Sequence, residues 1–95
     1  LWAYSPGMAP DLTETKFLEC YPGNDRISLV GIDGYQWGTR KDFMEQLDQN
    51  LDMLTKFAAK NGKIAALTEC GLKNLTEPDW WTTALMPVVE KYPIS

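Results

Sequence analysis

One carboxylate stands directly after an apolar run of strand length. Residues 63–68 are followed by Glu69, and Gly71 comes two positions later. A short apolar run bounded by turn residues is typical of a strand buried on both faces of a parallel sheet. At the C-terminal end of such a strand a carboxylate can enter a cleft, and this edge carries the chemistry of α/β barrels and open sheets. Glu69 is therefore the first candidate for catalysis, and a salt bridge to a neighbouring loop is the alternative.

A second carboxylate stands in the same position relative to an earlier apolar run. Residues 27–32 are followed by Asp33, with Tyr35 and Trp37 at two-residue intervals after it. Tyr4 ends a further apolar segment at the start of the chain. The C-terminal ends of parallel strands lie at one edge of a sheet, with neighbouring strands about 4.8 Å apart. All of these side chains are therefore predicted to converge with the first carboxylate.

Two carboxylates, a phenol and an indole at one edge suggest sugar recognition. Carboxylates supply the acid, base or nucleophile of glycoside hydrolysis, and an indole ring can cover the apolar face of a sugar. The alternatives are that the aromatic rings only close the mouth of the sheet and that Asp33 caps its loop through Gly34. The residues alone leave these interpretations open.

Three strand–helix units follow one another along the chain, each of roughly thirty residues, as expected of a βα unit. The predicted strands are 1–4, 27–32 and 63–68, and the predicted helices are 11–20, 40–61 and 80–92. This alternation predicts an α/β fold of parallel strands with right-handed crossovers. Three units cannot close a barrel, for which roughly 250 residues are typical. The 95 residues therefore form either a small open α/β sheet or a slice of an eight-stranded barrel, in one domain at most.

Local signals mark the ends of the predicted helices. Asp11 is the expected N-cap of the first helix, and Thr39 is that of the second. Gly62 is expected to end the second helix, and Pro87 is expected to kink or shorten the last one. One apolar stripe of the second helix, at spacings of three and four, is expected to face the core: Phe43, Leu47, Leu51, Leu54 and Ala58.

Composition excludes several classes of function. The net charge is −4 and no basic run is longer than Arg40-Lys41, which argues against nucleic-acid binding. No apolar run approaches bilayer length, so no membrane insertion is expected. The chain has no histidine, and Cys20 and Cys70 fit no metal-ligand spacing. They are expected to be two buried or half-buried thiols, and a disulfide between them is the alternative. Neither a metal nor a cofactor is expected, and carboxylate chemistry remains available to these residues.

Five motifs occur in order along nearly the whole chain. They are Trp2-Ala3-Tyr4-Ser5-Pro6, Tyr21-Pro22-Gly23-Asn24-Asp25, Val30-Gly31-Ile32-Asp33-Gly34-Tyr35, Ala66-Leu67-Thr68-Glu69-Cys70-Gly71 and Asp79-Trp80-Trp81-Thr82. Together they resemble the C-terminal part of the catalytic domain of glycoside hydrolase family 26 β-mannanases. The resemblance implies a (β/α)8 TIM barrel, of which residues 1–95 supply about three βα units (strands 5–7) and the remainder of the barrel is missing.

The resemblance also implies roles for individual residues. Glu69 is expected to be the catalytic nucleophile, Tyr35 to orient it, and Asp33 to line the subsite where cleavage occurs. Trp37 and Tyr4 are expected to bind substrate because of their predicted places at the strand ends. The acid/base glutamate of the family lies on the fourth strand and an aromatic sugar platform on the eighth, and neither lies in this chain.

Three residues depart from the family pattern. Asn24 stands where an aspartate is frequent after Pro-Gly, and Ser28 stands where another aspartate is common. Cys70 follows the expected nucleophile where threonine or a larger apolar residue is usual. None of these changes removes a group with an expected catalytic role.

The expected function is that of a retaining endo-β-1,4-mannosidase acting on β-mannan or manno-oligosaccharides, in a longer protein that is secreted or attached to the cell envelope. The chain alone is expected to be inactive. Alternatives within enzymes are a relative acting on another β-glycan or one releasing mannobiose. Further alternatives are a non-catalytic sugar-binding barrel and a self-contained small α/β domain that serves as an interaction protein.

Overall fold

The computed structural model describes residues 2–10, 12–72 and 77–94, which form an α/β arrangement. In chain order the elements are β1 (Ala3–Tyr4), α1 (Glu14–Phe17), β2 (Leu29–Gln36), α2 (Arg40–Asn61), β3 (Ile64–Leu72), a π-helical turn (Trp81–Leu85) and α3 (Met86–Val89). The predicted alternation of strands and helices is confirmed for these residues. None of the helices described has the length and apolar composition needed to cross a bilayer.

The three strands form one parallel sheet in the order β1-β2-β3. Ala3 pairs with Leu29 at the start of β2, and Leu29 in turn pairs with Ile64 at the start of β3. The predicted parallel pairing is thus confirmed. The three strands start level and run the same way, and the C-terminal ends of β2 and β3 lie at a common edge.

Beyond β1 the chain continues alongside β2. The backbone N–H of Asp33 donates to the carbonyl of Pro6 (3.1 Å), and the N–H of Met8 donates to the carbonyl of Asp33 (2.8 Å). Gly7 forms a parallel bridge with Asp33. Pro6 has no N–H to offer, and proline is accordingly tolerated at a sheet edge. These bonds bring Ser5, which precedes the proline, beside the middle of β2.

β2 and β3 are longer than predicted, and both run past their carboxylates. Their pairing is regular as far as Ile32 opposite Leu67, and then Asp33 pairs with Glu69, so Thr68 is an extra residue in β3. Such a β-bulge interrupts the alternation of side chains and bends the strand. The predicted ends were wrong because they assumed a sheet buried on both faces. Polar side chains line one face here, so strand geometry continues through them.

The two faces of the sheet differ in character. Val30 and Ile32 of β2 are fully buried in the core beneath α2. Successive side chains of a strand point to opposite faces. The face opposite the helices is called the open face below. Towards the ends of β2 and β3 it carries Gly31, Asp33, Tyr35, Thr68, Glu69 and Gly71.

α2 provides most of the helical cover of the sheet, and its predicted limits are confirmed. The Thr39 hydroxyl accepts a hydrogen bond from the N–H of Asp42 (3.2 Å), which satisfies one of the free donors at the helix start. Gly62 ends the helix with a φ of 66°, a left-handed conformation that favours glycine. The predicted apolar stripe is buried throughout: Phe43, Leu47, Leu51, Leu54 and Ala58.

The first helix is shorter than predicted. α1 is a single turn capped by Thr13, whose hydroxyl accepts from the N–H of Lys16 (3.2 Å). Asp11, the predicted cap, lies outside the described residues. Phe17 is the one residue of α1 that is buried, whereas Cys20 is exposed in the turn that follows, so little apolar contact favours a longer helix.

The last helical segment changes geometry before its proline. In the π-helical turn the N–H of Met86 donates to the carbonyl of Trp81, five residues back. Pro87 has no N–H, and its ring would clash with a carbonyl of a regular α-helix. A π-turn widens the helix by one residue, which is one of the recognised ways to accommodate such a position. α3 ends at Val89, so the predicted shortening is confirmed, and a π-turn precedes it.

Candidate active site

Two carboxylates lie side by side on the open face. Asp33 and Glu69 are paired in register on neighbouring strands, and the bulge at Thr68 brings them level. If β3 continued in regular register without a bulge, Thr68 would lie opposite Asp33 and Glu69 would face the helices. The predicted convergence of the two carboxylates is therefore confirmed, and it depends on an irregularity that no strand pattern indicated.

A phenol orients the first carboxylate. The Tyr35 hydroxyl donates to Oε1 of Glu69 at 2.8 Å. This hydrogen bond, followed by burial and by the negative charges of Glu69 and Asp33, raises the pKa of Tyr35 above its usual value of 10.0. A raised pKa means that the phenol keeps its proton, so it remains a donor throughout the neutral range. A β-carbon on Gly71 would lie 3.0 Å from the Tyr35 ring, so the glycine leaves room for this ring.

Two hydroxyls contact the second carboxylate. The Ser5 hydroxyl donates to Oδ1 of Asp33 at 2.9 Å, and the Thr68 hydroxyl lies 2.5 Å from the same oxygen. The hydroxyl oxygens of Ser5 and Thr68 also contact each other. Sequence reasoning missed both hydroxyls, although Ser5 directly follows Tyr4 and Thr68 directly precedes Glu69. The alternation of β1 was the available signal for Ser5.

An exposed indole flanks this group. Trp37 is 74% exposed, and its ring centroid lies 6.4 Å from that of Tyr35 with the planes inclined by 46°. Trp37 follows the end of β2, so it stands at the rim of the site rather than on its floor. The structure thus brings the predicted indole beside the phenol and leaves most of its surface accessible.

Solved structures share this arrangement of elements. Over 98% of its length the chain matches a GH26 β-mannanase from Bacteroides ovatus with a TM-score of 0.89 and 47% identity. It matches the catalytic domain of a GH26 endo-β-1,4-mannanase from Bacillus sp. JAMB-750 with a TM-score of 0.82 and 33% identity, also over 98% of its length. The chain spans 26% of the length of each of these chains.

A mannan endo-1,4-β-mannosidase from Bifidobacterium adolescentis is 33% identical over an alignment of 75 residues. The match covers 75% of this chain and 8% of that protein. No protein-family model matches the sequence. Sequence identity and fold agree in these matches. The chain belongs to glycoside hydrolase family 26. The family 26 structures imply a (β/α)8 barrel, and the three parallel strands with their helices are a segment of such an architecture.

Tyr4 does not lie with the two carboxylates on the open face, contrary to prediction. Its hydroxyl donates to the carbonyl of Phe17 at 2.7 Å, and its ring lies edge-on to those of Phe17 and Tyr21. Burial is the main cause that raises the pKa of Tyr4. The reason is the alternation of β1, in which Tyr4 faces the helices and the next residue, Ser5, faces Asp33.

A polar network lies behind the two carboxylates, on the helix side of β2. Gln36, which is 2% exposed, donates to Oε2 of Glu77 (2.9 Å) and accepts from the indole N–H of Trp80 (2.8 Å). Arg40 contacts Glu77 (2.6 Å) and Asp79 (3.1 Å), and these hydrogen bonds, that to Asp79 first, raise its pKa. The network ties the end of β2, the start of α2 and the last helical segment together.

Sequence reasoning missed this network, although one signal was available. Arg40 is the first residue of α2, and a cation is unfavourable at the positive end of a helix dipole. An arginine there indicates nearby carboxylates, which Glu77 and Asp79 provide. Trp80 is buried at 1% exposure, whereas Trp81 is 49% exposed.

No cluster of three potential metal ligands is present among residues 2–10, 12–72 and 77–94. Cys20 and Cys70 are both free thiols, as predicted, but Cys20 is exposed and not buried or half-buried. Burial raises the pKa of the Cys70 thiol, which pairs in register with Gly34 and so faces away from Glu69. The substitution at position 70 therefore lies behind the carboxylates and not among them.

Replacing Tyr35 with phenylalanine in the full-length protein removes the hydroxyl that donates to Glu69. We expect kcat to fall about 10- to 100-fold, the range for a hydrogen bond to a charged group. Because the raised pKa keeps Tyr35 protonated, the ratio of wild-type to variant kcat should stay constant from about pH 5 to pH 9. The measurement is steady-state hydrolysis of a manno-oligosaccharide across this range.

The control for this change is Tyr92→Phe, which removes a hydroxyl bound to Asp48 in the helical layer. It should leave kcat unchanged. Equal losses in both variants would contradict the orienting role of Tyr35.

Proposed function

We propose that the chain is part of a retaining glycoside hydrolase that cleaves internal β-1,4-mannosidic bonds of mannan. The observation that carries this proposal is the 2.8 Å hydrogen bond from Tyr35 to Glu69, on the open face and level with Asp33. The family 26 relatives with 33% and 47% identity are named as mannanases, which supports mannan as the substrate.

Glu69 is the nucleophile in this proposal. Retaining hydrolysis uses two carboxyl groups about 5–5.5 Å apart. One attacks the anomeric carbon and expels the leaving sugar, whose oxygen takes a proton from the other. Water then releases the covalent sugar as the second group takes the proton back. The Tyr35 hydrogen bond to Oε1 holds the carboxylate in one orientation, so that Oε2 can be presented to the sugar.

Asp33 acts as a ligand of a sugar hydroxyl and not as the general acid. Its Oδ1 accepts a hydrogen bond from Ser5 and contacts the hydroxyl of Thr68, which fixes the side chain on the open face. The strands described here are, we propose, the fifth to seventh of the barrel. The acid/base glutamate would then come from the fourth strand and an aromatic sugar platform from the eighth.

Trp37 supplies an aromatic surface at the rim of the site. Its 74% exposed ring lies beside Tyr35, where a sugar unit bound next to Glu69 can pass over it. An indole face removes apolar C–H surface of a sugar from water. We propose that Trp37 contributes to substrate binding and takes no part in bond cleavage.

Replacing Glu69 with alanine or glutamine in the full-length protein should lower kcat by about 10³-fold or more, because no group is left to form the covalent intermediate. Binding of manno-oligosaccharides should largely persist. Incubation of the wild type with a fluorinated manno-sugar, followed by mass spectrometry of peptides, should find the label on Glu69. Glu45→Gln, an exposed carboxylate of α2, is the matched control and should retain full activity.

Retained hydrolysis by the Glu69 variants would refute the nucleophile assignment. A wild-type protein that binds mannan oligosaccharides without cleaving them would instead support a non-catalytic barrel. Release of mannobiose alone from chain ends would point to a related specificity within the family.

The isolated 95-residue chain should be inactive. It spans 26% of the solved family 26 chains that it matches, and the acid/base group is proposed to lie outside it. The edges of its sheet would also be left without strand partners. A reducing-sugar assay on mannan with the isolated chain tests this expectation, and measurable hydrolysis would contradict it.

We further propose that the protein is secreted or attached to the cell envelope, because a polymeric mannan cannot enter a cell intact. Mannanase activity is therefore expected in the culture supernatant or on the cell surface of the source organism. Activity confined to the lysate after washing of intact cells would overturn this location.

A further inference from the structure

Thr68 occupies the bulge that separates the regular part of β3 from Glu69. In a regular strand two successive side chains point to opposite faces. Because Thr68 is the extra residue, both Thr68 and Glu69 lie on the open face. The threonine thus lies next to the proposed nucleophile, and the residues before and after it keep their partners in β2.

The Thr68 hydroxyl has two acceptors within reach. Oδ1 of Asp33 lies at 2.5 Å and the carbonyl of Ile32 at 2.9 Å. A hydroxyl has one proton to donate and can accept from other donors. Ser5 donates its own proton to the same Oδ1, so its contact with Thr68 needs no further donor. In the arrangement in which Thr68 also gives its proton to Oδ1, this oxygen of Asp33 is held between two hydroxyls, which restricts rotation of the carboxylate.

Gly31 provides the space in which Thr68 lies. A β-carbon on Gly31 would be 2.7 Å from Cγ2 of Thr68 and 3.1 Å from the carbonyl oxygen of Ala66. A contact of 2.7 Å is too short for two carbon atoms, so a side chain at position 31 would displace the threonine. The glycine and the bulge are independent features, and both serve the position of the Thr68 side chain.

The donors of the site are divided between the two carboxylates. Tyr35 donates to Glu69, and Ser5 with Thr68 contacts Asp33. Two carboxylates side by side repel each other and compete for any shared donor. If Asp33 lost the hydroxyl of Thr68, it could turn towards Tyr35 and draw that donor away from Glu69.

We propose that Thr68 is a positioning residue that holds Asp33 in the orientation needed to bind a sugar hydroxyl, separate from the hydrogen bond that orients Glu69. This inference rests on the proposed function, in which Asp33 binds substrate. Thr68 acts through Asp33 and does not itself react.

The test compares four single variants of the full-length protein on mannohexaose. Thr68→Val keeps the shape of the side chain and removes its hydroxyl, and we expect kcat/KM to fall about 10-fold. Thr68→Ser retains the hydroxyl and should recover most of that loss. Gly31→Ala should cause a loss similar to that of Thr68→Val by displacing the threonine. Thr55→Val removes a hydroxyl bound to a carbonyl within α2 and should leave kcat/KM unchanged.

A double-mutant cycle with Asp33→Ala separates positioning from general damage. If Thr68 acts through Asp33, Thr68→Val should add no further loss in the Asp33→Ala background. Full additivity, a Thr68→Val variant with wild-type kcat/KM, or a Thr68→Ser variant as impaired as Thr68→Val would each overturn the inference. Far-ultraviolet circular dichroism and the melting temperature of every variant show whether it is folded.

The failure of this inference differs from the failure of the proposed function. Loss of turnover in Glu69→Gln together with a normal Thr68→Val variant would reject only the role of Thr68. If the wild type does not hydrolyse mannohexaose, the proposed function fails. The same cycle is then measured as affinity for mannohexaose by calorimetry, where a Thr68→Val variant with wild-type affinity overturns the inference.

Discussion

The register between β2 and β3 is the constraint on which the candidate site depends. One extra residue in β3, Thr68, sets Glu69 level with Asp33 and turns both carboxylates to the same face. A shift of one residue in a strand moves every later side chain to the opposite face. The bulge therefore decides whether the carboxylate reaches the cleft or the core, and the hydrogen bond from Tyr35 is possible only with the register observed.

Two glycines make room for the polar side chains of the neighbouring strand. Gly31 of β2 lies beneath Thr68 of β3, and Gly71 of β3 lies beside the ring of Tyr35 of β2. In each pair a side chain extends across the sheet into space that a β-carbon would fill. The two glycines thus allow the phenol of Tyr35 and the hydroxyl of Thr68 to pack against the sheet. Each is thereby held in one position relative to the carboxylate that it contacts.

The helical layer gives these strands a rigid support. Val30 and Ile32 pack in the core beneath α2, so the side of β2 away from the site is closely packed. At the edge that carries the site, Arg40 and Gln36 both bind Glu77, which ties the start of α2 to the end of β2. A site built on strands and helices is positioned more precisely than a site on loops. The position of Tyr35, next to Gln36, benefits from this support.

Much of the fold was predictable because its signals are local. The stripe of α2, its cap at Thr39 and its end at Gly62 are each determined by residues a few positions apart, and all three were confirmed. The strand ends were predicted wrongly, because the prediction assumed that both faces of the sheet are buried. Whether a face is buried depends on the elements that pack on it, and the sequence of the strand does not show this. The side chain of Tyr4 was assigned to the wrong face for a similar reason. Adjacent residues of a strand face opposite sides, and it is Ser5 that faces the carboxylates.

By itself, the sequence determined the strand–helix order, the limits of α2, the family and the two carboxylates that could do chemistry. These follow from periodicity, caps and motifs, which are properties of short segments. Only the tertiary structure decided the bulge at Thr68, the division of donors between Asp33 and Glu69, and the burial of Tyr4 against Phe17. The physical reason is that strand register and side-chain partners join residues far apart in the chain, whose contacts form only when the sheet and its helices pack together.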